Sequence, residues 1–371
     1  MNINFVIPCL LGLESLIAQE LRDLGAENVN AENGRVLFSG DEALLARVNI
    51  CSHFAERVQI LVGSFEAHSF EDLFQGTKAL AWENWIGALD AFPVKGYSIN
   101  SDLFSTRDCQ AIIKKAVVER LKSKYAIEWF EETGPVHQIQ FSIMKNNVSL
   151  LLDTSGAGLH KRGYRLDAND APIKETLAAA LCSLSRLRPY HKFYDPMCGS
   201  GTILIEGALL AMNMAPGLTR GFSAERWDVI PRSVWETERE RARENVQICD
   251  DFHAFGSDID AKAIEFAKIN AERAGVADKL SFAVRDIKDF APETERGTVI
   301  CNPPYGERLL DLKQCEMIYK TMGTVFKQKK GFSYSIISPD EEFEAAFGRK
   351  ADKRRKLYNG MIKCQLFMYF K

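Results

Sequence analysis

Hydrophobic residues in the first part of the chain are spaced as in a small layer of strands and helices. Residues 1–62 predict the order strand, helix, strand, helix, strand, because short apolar runs flank two helically spaced segments. The first helical set consists of Leu13, Leu16, Ile17, Leu21 and Leu24. We therefore expect a small α+β domain over residues 1–64.

A second block of the same kind follows over residues 65–155. Apolar side chains on one face of residues 108–124 predict an amphipathic helix. Residues 137–144 and 148–152 predict two strands joined as a hairpin. This block is expected to form another α+β domain.

From about residue 171 the pattern becomes strictly alternating, with strand-like runs separated by helix-like segments. The strand-like runs are 192–195, 253–257, 280–284, 297–301 and 332–338. The dipeptide Asn359-Gly360 predicts a hairpin turn into a last strand over residues 363–370. Strand–helix alternation predicts a mainly parallel sheet closed by an antiparallel hairpin, so residues 171–371 should form a Rossmann-like α/β domain.

The segment between these blocks, residues 156–170, has the composition of a linker. It is rich in glycine and contains the basic residues Lys161, Arg162 and Arg165. Composition alone favours a flexible connection. A basic joint between two domains is also a place where a polyanion could bind, so these three residues are candidate substrate contacts.

Composition and charge then narrow the class of protein. The 371 residues exceed what one hydrophobic core supports, and 46% hydrophobic with 26% charged residues is typical of a globular protein. No apolar run approaches the roughly 20 residues of a bilayer span, and no basic leader precedes an apolar stretch, so we expect a cytoplasmic protein without a membrane segment. The nine cysteines form no Cys-x-x-Cys pair, which predicts neither a metal site nor a disulfide framework. A net charge of −3 argues against a general polyanion binder, so any nucleic-acid contact must be local.

Polar residues follow four successive predicted strands. They are Asp195, Asp258, Asp286 and Asn302. One such residue alone is as well explained as a helix cap, but ligands of open α/β sheets bind at these strand ends, and four in series predict a ligand site.

A glycine turn follows the first of these strands, in the segment Asp195-Pro196-Met197-Cys198-Gly199-Ser200-Gly201-Thr202. Gly199 and Gly201 are expected to admit a ligand close to the backbone. Because a third glycine is missing, a dinucleotide fits less well, and the absence of Gly-Lys-Ser/Thr excludes a nucleoside-triphosphate loop. A nucleoside-bearing methyl donor fits better.

The remaining strand ends have roles in this hypothesis. Asp258 would accept hydrogen bonds from ribose hydroxyls. Asp286 would accept one from an adenine amino group, with Ile259 and Ile287 on the two faces of the ring.

The motif Asn302-Pro303-Pro304-Tyr305 indicates a pocket for a planar amine. The lone pair of an exocyclic amine is delocalised into its ring, which makes the nitrogen a poor nucleophile. The Asn302 side-chain oxygen and the Pro303 carbonyl can hold both N–H groups and turn the lone pair toward the methyl donor, while Pro304 stiffens the turn and Tyr305 stacks on the base. The motif alone favours a Pro-Pro turn at a strand end, but its position after the fourth strand of this series favours the amine pocket. It does not distinguish guanine N2 from adenine N6.

Further basic residues are candidate nucleic-acid contacts. Arg308 lies just beyond the motif, where it could contact the base or phosphate or cap a helix. Six of the eight residues 349–356 are basic, including Arg354 and Arg355. Such a run usually marks a solvated turn, and RNA contact is only slightly favoured.

The motifs resemble those of the THUMP-domain RNA methyltransferases, most closely the bacterial 23S rRNA guanine-N2 enzymes. The resemblance rests on the segment beginning at Asp195, on Asn302-Pro303-Pro304-Tyr305-Gly306-Glu307-Arg308 and on Lys161-Arg162-Gly163-Tyr164-Arg165. It implies a ferredoxin-like domain, a THUMP domain over about residues 65–155 and a class I methyltransferase domain that uses S-adenosylmethionine. It further implies that Met197 and Thr202 line the cofactor site with Asp195, Gly199, Gly201, Asp258, Ile259 and Asp286. Larger members carry a second methyltransferase domain that this chain lacks.

The expected activity is therefore methylation of guanine N2 in structured RNA, with large-subunit rRNA as the first substrate and tRNA as another. Adenine-N6 methylation of DNA or RNA is the enzymatic alternative. A ribosome-assembly factor with an inert methyltransferase fold is the non-enzymatic one. The sequence specifies no oligomeric state.

Overall fold

The computed structural model describes residues 2–165, 173–292, 294–305, 312–328 and 330–370. Contacts divide the chain into two compact units. The N-terminal unit contains residues 1–8, 18–159 and 220–241, and the C-terminal unit contains residues 9–17, 160–219 and 242–371. Among the described residues, none of the helices combines the length and apolar character that a membrane span needs.

The N-terminal unit is built on one seven-stranded sheet in the order β2-β3-β1-β4-β7-β6-β5. Its strands are β1 (Ile3–Pro8), β2 (Glu27–Glu32), β3 (Arg35–Gly40), β4 (Gln59–Glu66), β5 (Val94–Ile99), β6 (Ile139–Met144) and β7 (Asn147–Asp153). The first four helices of the chain are α1 (Glu14–Asp23), α2 (Glu42–Cys51), α3 (Phe70–Ala79) and α4 (Thr106–Tyr125). The strands of both predicted α+β blocks thus belong to one continuous sheet.

Two local features of this unit were predicted correctly. The β6–β7 hairpin turns at Lys145 and Asn146, whose φ angles of 50° and 65° are those of a type I′ turn. Helix α4 begins after Ser105, whose side chain accepts a hydrogen bond from the Asp108 N–H. Its apolar face is buried, as the helical spacing indicated.

Residues 220–241 pack in the N-terminal unit, although they fall inside the range 171–371 assigned above to the Rossmann-like domain. Trp227 is buried, and its ring stacks on His137 at a centroid distance of 4.2 Å. Its indole N–H donates to the Val136 carbonyl at 3.1 Å. Residues 220–241 are therefore a structural part of the N-terminal unit.

The C-terminal unit contains a second seven-stranded sheet in the order β10-β9-β8-β11-β12-β14-β13. Its strands are β8 (Lys192–Asp195), β9 (His253–Asp258), β10 (Leu280–Val284), β11 (Gly297–Cys301), β12 (Phe332–Ser338), β13 (Lys353–Asn359) and β14 (Ile362–Tyr369). Strands β8 to β12 run parallel, and β14 pairs antiparallel with both β12 and β13. The predicted parallel sheet with a closing antiparallel hairpin is confirmed.

Helices cover this sheet, and an aromatic cluster fills part of its core. The remaining helices are α5 (Glu175–Leu184), α6 (Thr202–Ala211), α7 (Arg232–Glu244), α8 (Ala261–Arg273), α9 (Leu312–Val325) and α10 (Phe343–Phe347). The cluster includes Tyr194, Phe326, Phe332, Phe343 and Phe367. These side chains fix the β8, β12 and β14 strands against α9 and α10.

Candidate active site

The four polar strand ends lie along one edge of the C-terminal sheet. Asp195 and Asp258 are the last residues of β8 and β9, Asp286 lies two residues beyond β10, and Asn302 directly follows β11. In the sheet these strands are neighbours in the order β10-β9-β8-β11. Because parallel strands end on the same side, the four residues lie at the same end of four neighbouring strands.

The glycine turn after β8 is tied to the neighbouring strand by its backbone. The Cys198 N–H donates to the Ser257 carbonyl and the Gly199 N–H to Asp258 Oδ2, both at 2.9 Å. The Gly201 N–H donates to the Cys198 carbonyl at 2.8 Å, which closes the turn before Thr202 begins α6. Asp258 therefore holds the turn in place in addition to facing the strand-end region.

The two glycines of the turn have different surroundings. Both have positive φ angles, 51° at Gly199 and 79° at Gly201. A Cβ at Gly199 would meet no described atom within 4 Å, whereas one at Gly201 would lie 3.1 Å from Ala267 and 3.3 Å from the Phe282 ring. Only Gly199 thus fits the expectation of backbone open to a ligand; Gly201 permits close packing of α6 on the sheet.

Asp195 is turned into the protein, with 1% of its surface exposed. Its Oδ1 accepts from the Met197 N–H at 3.2 Å, and its carboxyl shares a hydrogen bond with the Cys301 thiol. Burial raises the pKa of the Asp195 carboxyl to about 8, against the opposing effect of the Met197 N–H. Asp195 therefore stabilises the glycine turn through its hydrogen bonds, and its side chain is not exposed at the surface of the site.

The other predicted cofactor residues are accessible to different degrees. Asp286 is partly exposed, and the hydrogen bond from the Lys288 backbone N–H is the main cause that lowers the pKa of its carboxyl. Ile259 is 71% exposed, whereas Ile287 is buried in the aromatic cluster. Of the two isoleucines expected to enclose an adenine ring, Ile259 alone offers a large free surface.

Asn302 is the unusual polar residue of the site. Its Oδ1 atom is buried, and within the described part of the chain no donor lies within hydrogen-bonding distance. Buried acceptors are normally paired, so this one is available to a ligand N–H. Tyr305, at the other end of the motif, has its hydroxyl 2.5 Å from Asn359 Nδ2 at the end of β13. Sequence analysis did not identify Asn359, because only the fold brings it to the motif.

Most of the predicted substrate-binding basic residues make hydrogen bonds or ion pairs within the protein. Arg162 is buried, with a guanidinium nitrogen 3.4 Å from Glu206 Oε2, and the Tyr164 hydroxyl donates to the same carboxylate at 3.0 Å. Arg165 donates to the Ile173 carbonyl at 2.9 Å and to the Thr202 hydroxyl at 2.8 Å. Arg162, Tyr164 and Arg165 are therefore packed against residues of α6, which differs from the exposed basic contacts expected for the two arginines.

The remaining candidates divide in the same way. Lys161 is exposed. Arg354 pairs with Glu344 at 2.5 Å, and Arg355 donates to the Gly12 carbonyl at 2.6 Å. Arg308 lies outside the described residues. Of the candidates that the structure describes, Lys161 and Arg354 are therefore the exposed ones, and Arg354 is paired with Glu344.

A parallel sheet with a glycine turn after its first strand and an Asn-Pro-Pro-Tyr motif after the fourth strand of the series defines a class I methyltransferase fold. Comparison with family models agrees with this class. Residues 162–367 match the model described as "RMKL-like, methyltransferase domain", residues 4–59 the "RlmL ferredoxin-like domain" and residues 67–153 the "THUMP domain". The chain belongs to this family, and the resemblance inferred from its motifs is confirmed.

Individual relatives are similar over nearly the whole chain. It is 45% identical over 362 residues to "Putative RNA methyltransferase YpsC" of Bacillus subtilis, which covers 97% of this chain and 94% of that protein. It is 35% identical over 381 residues to "Ribosomal RNA large subunit methyltransferase K/L" of Psychromonas ingrahamii, covering 99% of this chain but 50% of that protein. The solved structure of "SMU.472, a putative methyltransferase complexed with SAH" is 40% identical with a TM-score of 0.95 and covers 100% of this chain and 98% of its own.

Proposed function

We propose that the protein transfers a methyl group from S-adenosylmethionine to the exocyclic N2 amine of a guanine in structured RNA, with 23S rRNA as the substrate. The observation that carries the proposal is the buried Oδ1 of Asn302, which has no hydrogen-bond partner among the described residues and follows the strand next to the one that carries the glycine turn. An acceptor without a donor, at the edge where ligands of such sheets bind, suits an N–H group of the substrate.

The residues around the glycine turn fit the proposed cofactor. Gly199 leaves open space where a side chain would otherwise stand, and the neighbouring Asp258 supplies a carboxylate for ribose hydroxyls. The exposed Ile259 offers an apolar face for the adenine ring, and Asp286 an acceptor for its amino group. When bound, S-adenosylmethionine supplies an electrophilic methyl group. We infer this cofactor for the chain from the geometry of the site and from the related structure that was solved in complex with SAH.

Asn302 and its neighbours would prepare the amine for the transfer. Asn302 Oδ1 and the Pro303 carbonyl accept the two N–H groups, which draws the nitrogen toward tetrahedral geometry and localises its lone pair. Pro304 restricts the turn, and Tyr305 stacks on the base with its hydroxyl held by Asn359. The contribution of the protein is positioning and charge stabilisation, and the surplus proton leaves the amine after transfer.

RNA is proposed as the substrate on the basis of the relatives, two of which are named for RNA or ribosomal RNA methylation. The THUMP and ferredoxin-like domains would bind RNA around the target base. Lys161 is exposed and immediately precedes the residues that match the methyltransferase domain model, so it is a candidate RNA contact. Since 23S rRNA is made and assembled in the bacterial cytoplasm, the proposal also implies a cytoplasmic protein.

A methyl-transfer assay tests the substrate. The purified protein is incubated with radiolabelled S-adenosylmethionine and an unmodified 23S rRNA transcript, a tRNA pool or duplex DNA, and the digested product is analysed as nucleosides. We expect label in N2-methylguanosine from the 23S transcript. Label in N6-methyladenine would overturn the choice of amine, and transfer to tRNA alone would overturn the choice of RNA.

The variant Asn302→Ala tests the role of the unpaired oxygen. Loss of one preorganised hydrogen-bonding group is expected to lower kcat by about 100- to 1000-fold while leaving the affinity for S-adenosylmethionine unchanged. Asn245→Ala, at an exposed asparagine of the same unit, is the control. Full activity of Asn302→Ala would disprove the role of this side chain. A wild-type protein that binds RNA and cofactor but transfers nothing would instead support an assembly factor.

A further inference from the structure

A tight hairpin stands next to the proposed target pocket. Strands β13 and β14 stay paired up to Asn359 and Ile362, so the loop consists of Gly360 and Met361 alone. Gly360 has a φ angle of 65°, which matches a two-residue turn with glycine in the first loop position. A two-residue turn between paired strands is a stiff connection, and its tip therefore projects in a defined direction.

The side chain at this tip is apolar and almost fully exposed. Met361 has 97% of its surface accessible, the largest value among the exposed large hydrophobic residues that the structure describes. A single exposed apolar side chain needs no explanation by itself. Its place on a rigid tip beside a substrate pocket is what distinguishes Met361.

The position of the hairpin relative to the pocket is fixed by a direct contact. Asn359 Nδ2 lies 2.5 Å from the Tyr305 hydroxyl, and Tyr305 is the residue proposed to stack on the target base. Met361 follows Asn359 by two residues, a span of at most about 7 Å of chain. The tip and the base-stacking residue thus belong to one local structure.

The flanks of the hairpin carry positive charge. Lys356 on β13 is exposed and has no ion-pair partner among the described residues, and Lys363 on β14 is exposed, with its Nζ 3.9 Å from Glu341. Phosphate groups are the natural partners of such lysines on a nucleic-acid surface. An apolar tip between cationic flanks suits a nucleic-acid strand better than a protein partner.

We propose that Met361 is a wedge that enters the base stack of the RNA when the target base leaves it. The inference rests on the proposed function and adds a residue to it. A base inside a helix must be extruded to reach an enzyme pocket, which costs a few kcal/mol of unstacking. Proteins that kink or open nucleic acids insert Met, Leu, Ile or Phe side chains between bases for this purpose. Met361 fills the gap while Tyr305 receives the extruded base.

Kinetics of the hairpin variants test the wedge. Methyl transfer to the unmodified 23S rRNA transcript is measured under single-turnover conditions for Met361→Ala, Met361→Leu and Ile248→Ala. Ile248 is the matched control, because it is 88% exposed and precedes the start of β9, at the end of the sheet opposite the site. We expect Met361→Ala to slow transfer at least about tenfold, with Met361→Leu and the control near wild type. Affinity for S-adenosylmethionine and the melting temperature should not change. A wild-type rate for Met361→Ala would overturn the proposal.

Photo-crosslinking separates failure of the wedge from failure of the proposed function. Benzoylphenylalanine is placed at position 361 or, as the control, at position 248, and the protein is irradiated with the 23S transcript. We expect crosslinked RNA from position 361 only. Absence of this crosslink while the wild type methylates guanine would overturn the wedge and leave the function standing. If the wild type transfers no methyl group to RNA, the proposed function fails, and the crosslink alone decides whether Met361 enters RNA.

Discussion

At the scale of single residues, Asp195 links the site to the stability of the protein. Burial raises the pKa of its carboxyl from 3.8 to about 8, so the folded protein retains a proton that the unfolded chain has lost between these values. The contribution of the neutral carboxyl is complete below about pH 4 and is lost as the pH rises toward 8, with a slope of at most about 1.4 kcal/mol per pH unit.

Asp195→Asn keeps the shape of the side chain and removes this titration. We expect the free energy of unfolding of the variant to fall less steeply between pH 4 and 8 than that of the wild type. Urea unfolding at a series of pH values, with the two proteins in parallel, measures the difference. Parallel curves across the window would show that Asp195 is ionised in the folded protein.

Substitution of two adjacent basic residues, Lys161 and Arg162, should affect different properties of the protein, RNA binding for Lys161 and stability for Arg162. Arg162→Ala leaves the buried Glu206 without its guanidinium partner, and we expect a loss of about 3–5 kcal/mol in the free energy of unfolding. Lys161→Ala removes an exposed cation and should lower the stability much less than Arg162→Ala does, while it weakens RNA binding and reduces the salt dependence of binding by about one phosphate contact. Thermal unfolding and filter binding at several salt concentrations separate the effects. Equal melting temperatures for the two variants would contradict this assignment.

At the scale of elements, the glycine turn combines a ligand function with a packing function. Gly201→Ala places a Cβ 3.1 Å from Ala267 at a positive φ angle, and should lower the free energy of unfolding by about 1–3 kcal/mol. Gly199→Ala meets no described atom within 4 Å, so its cost is limited to backbone strain at a φ angle of 51°, and the added methyl group stands where the cofactor is proposed to bind. We expect Gly199→Ala to weaken the affinity for S-adenosylmethionine more than it lowers stability. Calorimetry and unfolding curves on both variants test the contrast, and the reverse ranking would contradict it.

The strands that sequence analysis predicted best are those of the C-terminal sheet. Strands β8, β10, β11 and β12 have the predicted bounds, because each forms a short, mainly apolar run between turns. Strands β8, β11 and β12 are central in the sheet, whereas β10 is an edge strand. The polar strand β2 was not predicted, and no strand was predicted over the basic run at residues 349–356, where β13 begins at Lys353. Both are edge strands, where one side of the backbone is unpaired and side chains need not be apolar.

Within the site, local sequence located the strand ends but not their long-range partners. The four polar residues were predictable because each lies at, or within two residues of, the end of its own strand. The contacts of Arg162 with Glu206 and of Asn359 with Tyr305 join residues 44 and 54 positions apart. Neither hydrophobic periodicity nor a sequence motif predicts contacts between residues so far apart in the chain. The burial of Arg162 was likewise invisible, since a charged residue in a glycine-rich segment is usually exposed.

At the scale of the whole molecule, the chain passes from the C-terminal unit into the N-terminal unit and back through residues 220–241. This segment is bonded within the N-terminal unit at several points. The Ala224 N–H donates to the Thr154 carbonyl at 3.0 Å, and Arg47 pairs with Glu238 at 2.7 Å. Trp227 is fully enclosed there. The stability of the N-terminal unit thus depends on residues that, by their position in the chain, fall within the range matched to the methyltransferase domain.

Trp227→Ala tests this dependence. Removing a buried indole that stacks on His137 and donates to the Val136 carbonyl is expected to lower local stability by about 3–5 kcal/mol. Hydrogen exchange followed by mass spectrometry should show faster exchange in β6, which begins two residues after His137, and in its neighbour β7, with little change in β11 and β12 of the other unit. Because exchange reports opening of each region separately, the measurement locates the damage as well as its size. Faster exchange confined to β11 and β12 would mean that residues 220–241 stabilise the C-terminal unit instead.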